Sequence, residues 1–157
     1  LKELIQQLIS DQDFVENIAW KRRHFCNNEL IINEGDEGVA IYFVEQGKLL
    51  VNVQVNLDNQ RNIQQGVSEL NVGDIFGEMC LQGAIIRTAS VKAISEGVLL
   101  EINAIELKLY LDRHPALGYS MYKKMFDLLV QRLSRANDRI ESLFAWGLKA
   151  HGIESHL

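Results

Sequence analysis

Apolar positions change period twice along the chain. Over residues 1–20 (LKELIQQLISDQDFVENIAW), Leu4, Ile5, Leu8, Phe14, Val15 and Ile18 recur at helix-like intervals, with Ser10 and Asp11 as a break or cap. This spacing predicts short N-terminal helices. From 21 to 103 the pattern turns into short apolar stretches, ELIIN, VAIYFVE, KLLVNVQV, GVSEL, TASVKAI and VLLEI. Turn-forming segments punctuate them: Glu34-Gly35-Asp36, Glu45-Gln46-Gly47-Lys48, Leu57-Asp58-Asn59-Gln60, Val72-Gly73-Asp74 and Ser95-Glu96-Gly97. Short strands with such regular punctuation predict a mainly β domain, a sandwich or small barrel. After Ile102 the helical period returns. A short helix is expected over 104–113, ending before Pro115, the only proline, which suits the first turn of a last helix over 115–146.

In that last helix Tyr122, Phe126, Leu129, Leu133, Ala136, Ile140 and Leu143 follow an unbroken alternation of four and three residues. Such heptads suit a coiled-coil seam. A helix laying its apolar stripe on its own barrel repeats in the same way. The stripe continues about four turns beyond Leu129, farther than a small barrel reaches, and this predicts a homodimer.

Composition narrows the function classes. With 157 residues, of which 47% are hydrophobic, the chain can bury one core, so a single domain over 1–157 is expected. A formal charge of -5 argues against general nucleic-acid binding, which needs a basic surface. Cys26 and Cys80 lack redox or zinc spacing, so two reduced thiols in a cytoplasmic protein are expected and no metal. Neither a spanning run of about 20 apolar residues nor a signal peptide is apparent. The first residue is Leu1 instead of Met, the mark of a piece of a longer protein or a trimmed one.

Chemistry concentrates in residues 73–90, GDIFGEMCLQGAIIRTAS. Glu78 opens a short helical turn directly after Gly77, and free N–H groups at such a start favour an anion. Arg87 follows nine residues later, and its planar guanidinium can fork onto phosphate oxygens. A carboxylate can accept from a sugar hydroxyl. Alone, a glutamate and an arginine at this separation are more often a surface ion pair worth under about 1 kcal/mol.

The run Phe76-Gly77-Glu78-Met79-Cys80-Leu81, followed by Arg87-Thr88-Ala89-Ser90-Val91, resembles the phosphate-binding cassette of the cyclic nucleotide-binding domain family. Bacterial catabolite-activator-type regulators, regulatory subunits of cyclic-nucleotide-dependent kinases and gated channels belong to that family. Gly35, Gly47, Gly73 and Gly77 sit at turns where the family has glycines. The resemblance implies a double-stranded β-helix, or jelly-roll, barrel with N-terminal helices, a cassette over 76–90, a hinge helix over 104–113 and a long lid and dimerisation helix over 115–146.

The resemblance further implies that Glu78 bonds the ribose 2′-hydroxyl and that Arg87 pairs with an exocyclic oxygen of the cyclic phosphate. Backbone N–H groups around Gly77, Met79 and Cys80, with Thr88, would complete the cradle. Ile86 stands where the family usually has proline. Val51 and Val53 are candidates for the base pocket, and ordinary barrel core fits them equally. Asn137 beside the seam is a candidate cap for adenine, with Arg132 and Arg135 as rivals. The expected ligand is cAMP, with cGMP as the alternative that a Thr88 hydroxyl would suit; no cofactor and no catalytic residue are implied.

Two other functions compete. The chain could be the ligand-binding half of a catabolite-activator-type regulator, although only eleven residues follow Trp146, too few for a helix-turn-helix domain. A cupin-like jelly-roll enzyme would need clustered metal ligands, whereas His24, His114, His151 and His156 are scattered. Retention of Glu78 and Arg87 argues against a degenerate domain that binds nothing.

Overall fold

The computed structural model describes the backbone of residues 1–57, 61–83 and 86–150, and their side chains except at 53–67 and 148–150. The expected turn over 57–60 therefore falls largely outside the described residues. Two compact units divide the chain, Leu1–Gly118 and Tyr119–Leu157.

The first unit is built on eight antiparallel strands in two four-stranded sheets: β1 (Trp20–Phe25), β2 (Leu30–Ile32), β3 (Ala40–Gln46), β4 (Leu49–Leu57), β5 (Arg61–Leu70), β6 (Ile75–Phe76), β7 (Ser90–Ala93) and β8 (Gly97–Asn103). One sheet has the order β1-β8-β3-β6 and the other β2-β7-β4-β5. This is the expected jelly roll. Between the sheets pack Phe25, Ile32, Tyr42, Val44, Leu49, Phe76, Val91 and Leu99. The residues that alternate with these on β3 and β8, Ile41, Phe43, Leu100 and Ile102, are also buried. Successive side chains on a strand point to opposite faces, so these two strands are covered on both sides, which explains why AIYFV is an uninterrupted apolar run. Residues 104–113 form α2, which is in contact with β8.

α2 (Ala104–Arg113) starts where Asn103 turns out of β8. The Asn103 side chain accepts from the N–H of Ile105 at 2.9 Å and of Glu106 at 3.3 Å, an N-cap that satisfies two donors of the first turn. The Ala104 N–H reaches the carbonyl of Val39 at 2.8 Å, tying the helix start to the strand that leads into the core.

At the N-terminus a single helix forms, α1 (Lys2–Ile9), with Ile5 and Leu8 buried. The second helix predicted from Phe14, Val15 and Ile18 is absent among the described residues. Asn17 adopts φ 65° and its N–H donates to the carbonyl of Trp20, which breaks the helical path. Asparagine tolerates this left-handed conformation better than most residues. Phe14 is still buried, edge-on to Tyr110 of α2 with ring centroids 5.1 Å apart, while Val15 and Ile18 are exposed. The Tyr110 hydroxyl donates to the Asp11 carboxylate at 2.6 Å.

α3 (Pro115–Ala150) continues four residues past Trp146. Gly118 lets it start beside α2: a Cβ there would lie 2.9 Å from the Leu111 carbonyl oxygen. Farther along, Phe126, Leu129, Leu133, Ile140 and Leu143 are exposed. No helix among the described residues is long and apolar enough to cross a membrane.

Candidate functional site

Gly77 closes β6 in the left-handed conformation, φ 74°, and opens a five-residue 3₁₀ turn, Glu78–Gln82, which Gly83 ends at φ 86°. A Cβ at Gly77 would face strain from its φ and would also lie 2.8 Å from Arg87 Nη1. Glu78 is 8% exposed. Ala84 and Ile85, inside the expected cassette, lie outside the described residues.

Arg87 is fixed by its backbone before its side chain is considered. Its N–H donates to the carbonyl of Asp36 and its carbonyl accepts from Gly35, both at 2.8 Å. Ile86 forms a bridge with Glu37, and buried Ser90 accepts the Glu34 N–H at 2.9 Å. These bonds lay the stretch before β7 along the β2–β3 loop. The half-buried guanidinium then reaches back across the sheet end. Nη2 donates to the Ala40 carbonyl at 2.8 Å and Nη1 to the Gly77 carbonyl at 3.3 Å. Its Cζ stands 5.9 Å from the centroid of the Tyr42 ring, which itself stacks on Phe76 at 5.0 Å. A cation over an aromatic face gains about 0.5–2 kcal/mol. Two of five N–H donors are thus committed to neutral carbonyls, and no carboxylate pairs with this guanidinium in the ion pairs seen among the described residues.

Around it lie the other cassette candidates. The Cys80 thiol donates to the Gly77 carbonyl at 3.0 Å, and burial raises its pKa, which keeps it a neutral thiol. The Cys80 N–H also turns to Gly77, at 3.4 Å, so this N–H of the expected cradle is engaged inside the turn. Thr88 is exposed and its hydroxyl contacts the Met79 sulfur at 3.7 Å. Gly77, Glu78, Met79, Cys80, Arg87 and Thr88 therefore come together at one end of the barrel.

The remaining candidates are on other elements. Val51 pairs with Val91 across β4 and β7 and packs against the inner core, half-buried. Val53 is on β4 opposite Gln65, with its side chain outside the described residues. Asn137 belongs to the second unit and is exposed on α3, as is Arg135, while Arg132 is half-buried. Sequence reasoning missed Gly38, Ala40 and Tyr42, which surround the guanidinium. The one available signal was the second glycine of Glu34-Gly35-Asp36-Glu37-Gly38, unexplained by a turn that needs only one. No group of three or more histidine, cysteine, aspartate or glutamate residues able to hold a metal occurs among the described residues.

Comparison with known proteins places the barrel in a family. The family model for the cyclic nucleotide-binding domain matches residues 22–114. A cAMP-dependent protein kinase regulatory subunit of Blastocladiella emersonii is 29% identical over 126 residues, 79% of this chain and 30% of that protein. A cGMP-dependent protein kinase of Caenorhabditis elegans is 31% identical over 75 residues, 48% of this chain and 9% of that protein. Among solved structures, the catabolite activator protein of Thermus thermophilus superposes with a TM-score of 0.67 at 24% identity, covering 91% of this chain and 60% of that one, a likeness of fold. The chain spans less than a third of the length of the curated relatives it matches. With its jelly roll and a match over most of the barrel, the chain belongs to the cyclic nucleotide-binding domain family.

Proposed function

We propose that this domain is a cAMP sensor in which Arg87 receives the cyclic phosphate and Glu78 the ribose 2′-hydroxyl. The observation that carries this reading is the Arg87–Gly77 contact: the guanidinium is held at the residue directly before Glu78, the start of the turn. Three guanidinium N–H donors stay uncommitted to the two carbonyls, enough for a forked contact to phosphate oxygens. Thr88 and the backbone around Gly77 and Met79 complete the cradle, Cys80 joining only if its N–H leaves the Gly77 carbonyl, and Val51 with Val53 contributes to the base side.

The kinase matches include two cAMP-dependent regulatory subunits, covering 79% and 51% of the chain, and two cGMP-dependent kinases, covering 48% and 55%, so the preference for cAMP rests on the widest of the four alone. α2 packs directly on the cassette turn, which supports it as a hinge that follows the ligand. α3 acts as the lid, with Asn137 as the base cap, and as the seam of a homodimer through Tyr122, Phe126, Leu129, Leu133, Ala136, Ile140 and Leu143. A ligand moves these helices only as far as it prefers one arrangement over the other.

Isothermal titration with cAMP and cGMP tests the reading. The wild type is expected to bind cAMP more tightly, and Arg87→Ala to lose at least about tenfold in affinity, or 1.4 kcal/mol. A folded wild type giving no heat at about millimolar ligand, where binding free energy is only some 4 kcal/mol, would sink it.

A further inference from the structure

Gly38 is the one glycine around the site whose backbone does not ask for glycine. Its φ lies outside the left-handed region, unlike those of Gly35 and Gly77. Its surroundings do ask for it. A Cβ there would lie 2.5 Å from Arg87 Nη2, 2.6 Å from Nε and 2.8 Å from Cζ, distances that real Cβ atoms essentially never show. On the other side, a Cβ at Gly77 would lie 2.8 Å from Nη1. The guanidinium thus occupies a slot walled by two positions without side chains, with the Tyr42 ring beside it and the carbonyls of Ala40 and Gly77 as acceptors.

We infer that Gly38 is a positioning residue for Arg87: by carrying no Cβ it lets the guanidinium settle on the Ala40 and Gly77 carbonyls with its other donors turned to the ligand. This rests on the reading in which Arg87 receives the phosphate. The three atoms nearest to a methyl group at position 38 all belong to the far end of the flexible Arg87 side chain. The barrel therefore stays intact while the guanidinium loses its two carbonyl acceptors and its orientation. Productive geometry at a binding site is lost by displacements of this size, well under the length of the side chain that moves.

Three variants test this, Gly38→Ala, Arg87→Ala and the double variant, with two measurements. In titrations with cAMP and cGMP, Gly38→Ala is expected to bind at least tenfold more weakly than the wild type while staying folded. In thermal melts without ligand, Gly38→Ala should lower the midpoint when Arg87 is present and change it little in the Arg87→Ala background, because the clash and the lost acceptors exist only with the guanidinium in the slot. The inference is overturned if Gly38→Ala binds like the wild type, or if it shifts the midpoint equally, or not at all, in both backgrounds. An Arg87→Ala variant that binds like the wild type, or a wild type that binds neither nucleotide, removes the nucleotide reading instead; the melts still decide whether Gly38 positions Arg87.

Discussion

Leu133→Ala probes the stripe on α3 most directly. Leu133 is 63% exposed in the single chain, and Phe126, Leu129, Ile140 and Leu143 are between 42% and 67% exposed. Fully burying such a side chain contributes about 1.5–3 kcal/mol, so covering what is still exposed gives about 1–2 kcal/mol for each. Five positions on two chains supply about 10–20 kcal/mol, against an association cost of about 4–15 kcal/mol, which puts a micromolar dimer, about 8 kcal/mol, within reach. Removing Leu133 from both copies loses about 2–4 kcal/mol, a dimer weaker by roughly 30- to 700-fold. The helix itself should persist, since alanine is the better helix former. Sedimentation equilibrium over a range of protein concentrations reads the dimer constant, with Gln131→Ala, exposed and off the stripe, as the control. A wild type that stays monomeric up to about 100 μM, or equal constants for Leu133→Ala and the wild type, would refute the seam.

Two further outcomes follow from the helix ends. Tyr110→Phe removes a bond whose two partners titrate at opposite ends of the pH scale: burial and the Asp11 bond push the Tyr110 hydroxyl up to about 12, and the same bond lowers Asp11 below its usual 3.8. The Tyr110 contribution is complete below about pH 10 and lost as pH rises towards 12, while that of Asp11 is complete above the ordinary carboxylate range and lost on acidification. The difference in melting temperature between wild type and variant should therefore be flat from about pH 5 to 9 and shrink at both ends; a constant difference throughout contradicts the assignment. Asn103→Ala should cost about 1 kcal/mol in urea unfolding by uncapping α2, and Asn103→Asp should restore most of it; equal losses in both would mean that the side chain does not cap.

Sequence periodicity served best where a strand or helix exposes one face or buries both. The uninterrupted AIYFV run marked a strand, which the fold covers on two sides, and heptad spacing marked α3. It failed where polar residues dominate or tertiary contacts decide. β1 reads WKRRHF, buried only at its two ends, and as an edge strand paired to β8 alone it carries charges outward, where they blunt further pairing. β6 has two residues and no period at all. Phe14, Val15 and Ile18 fitted a helix by spacing, but Asn17 turned the chain, a choice that one residue makes and a window of eleven averages away. The cassette was legible because its charged residues are close in sequence. The surroundings of Arg87 were not, because Gly38, Ala40 and Tyr42 reach it from about fifty residues away through the pairing of the 35–37 loop with residues 86–87.

The contact of Phe14 with α2 also gives the molecule an optical gauge. Of the two tryptophans, Trp20 is 7% exposed, its indole N–H donates to the Phe14 carbonyl at 2.9 Å, and the Arg22 guanidinium stands 5.4 Å from its ring. Trp146 is 69% exposed. With Trp146 replaced by phenylalanine, the emission colour of the chain reports the neighbourhood of Trp20 alone. A tilt of α2 that pulls on Phe14 through Tyr110 changes the hydrogen bond and the nearby charge that this indole feels. The hinge motion proposed for α2 can thus be tested in unlabelled protein, in a stopped-flow cell, where a cAMP-dependent change in emission is its expected sign.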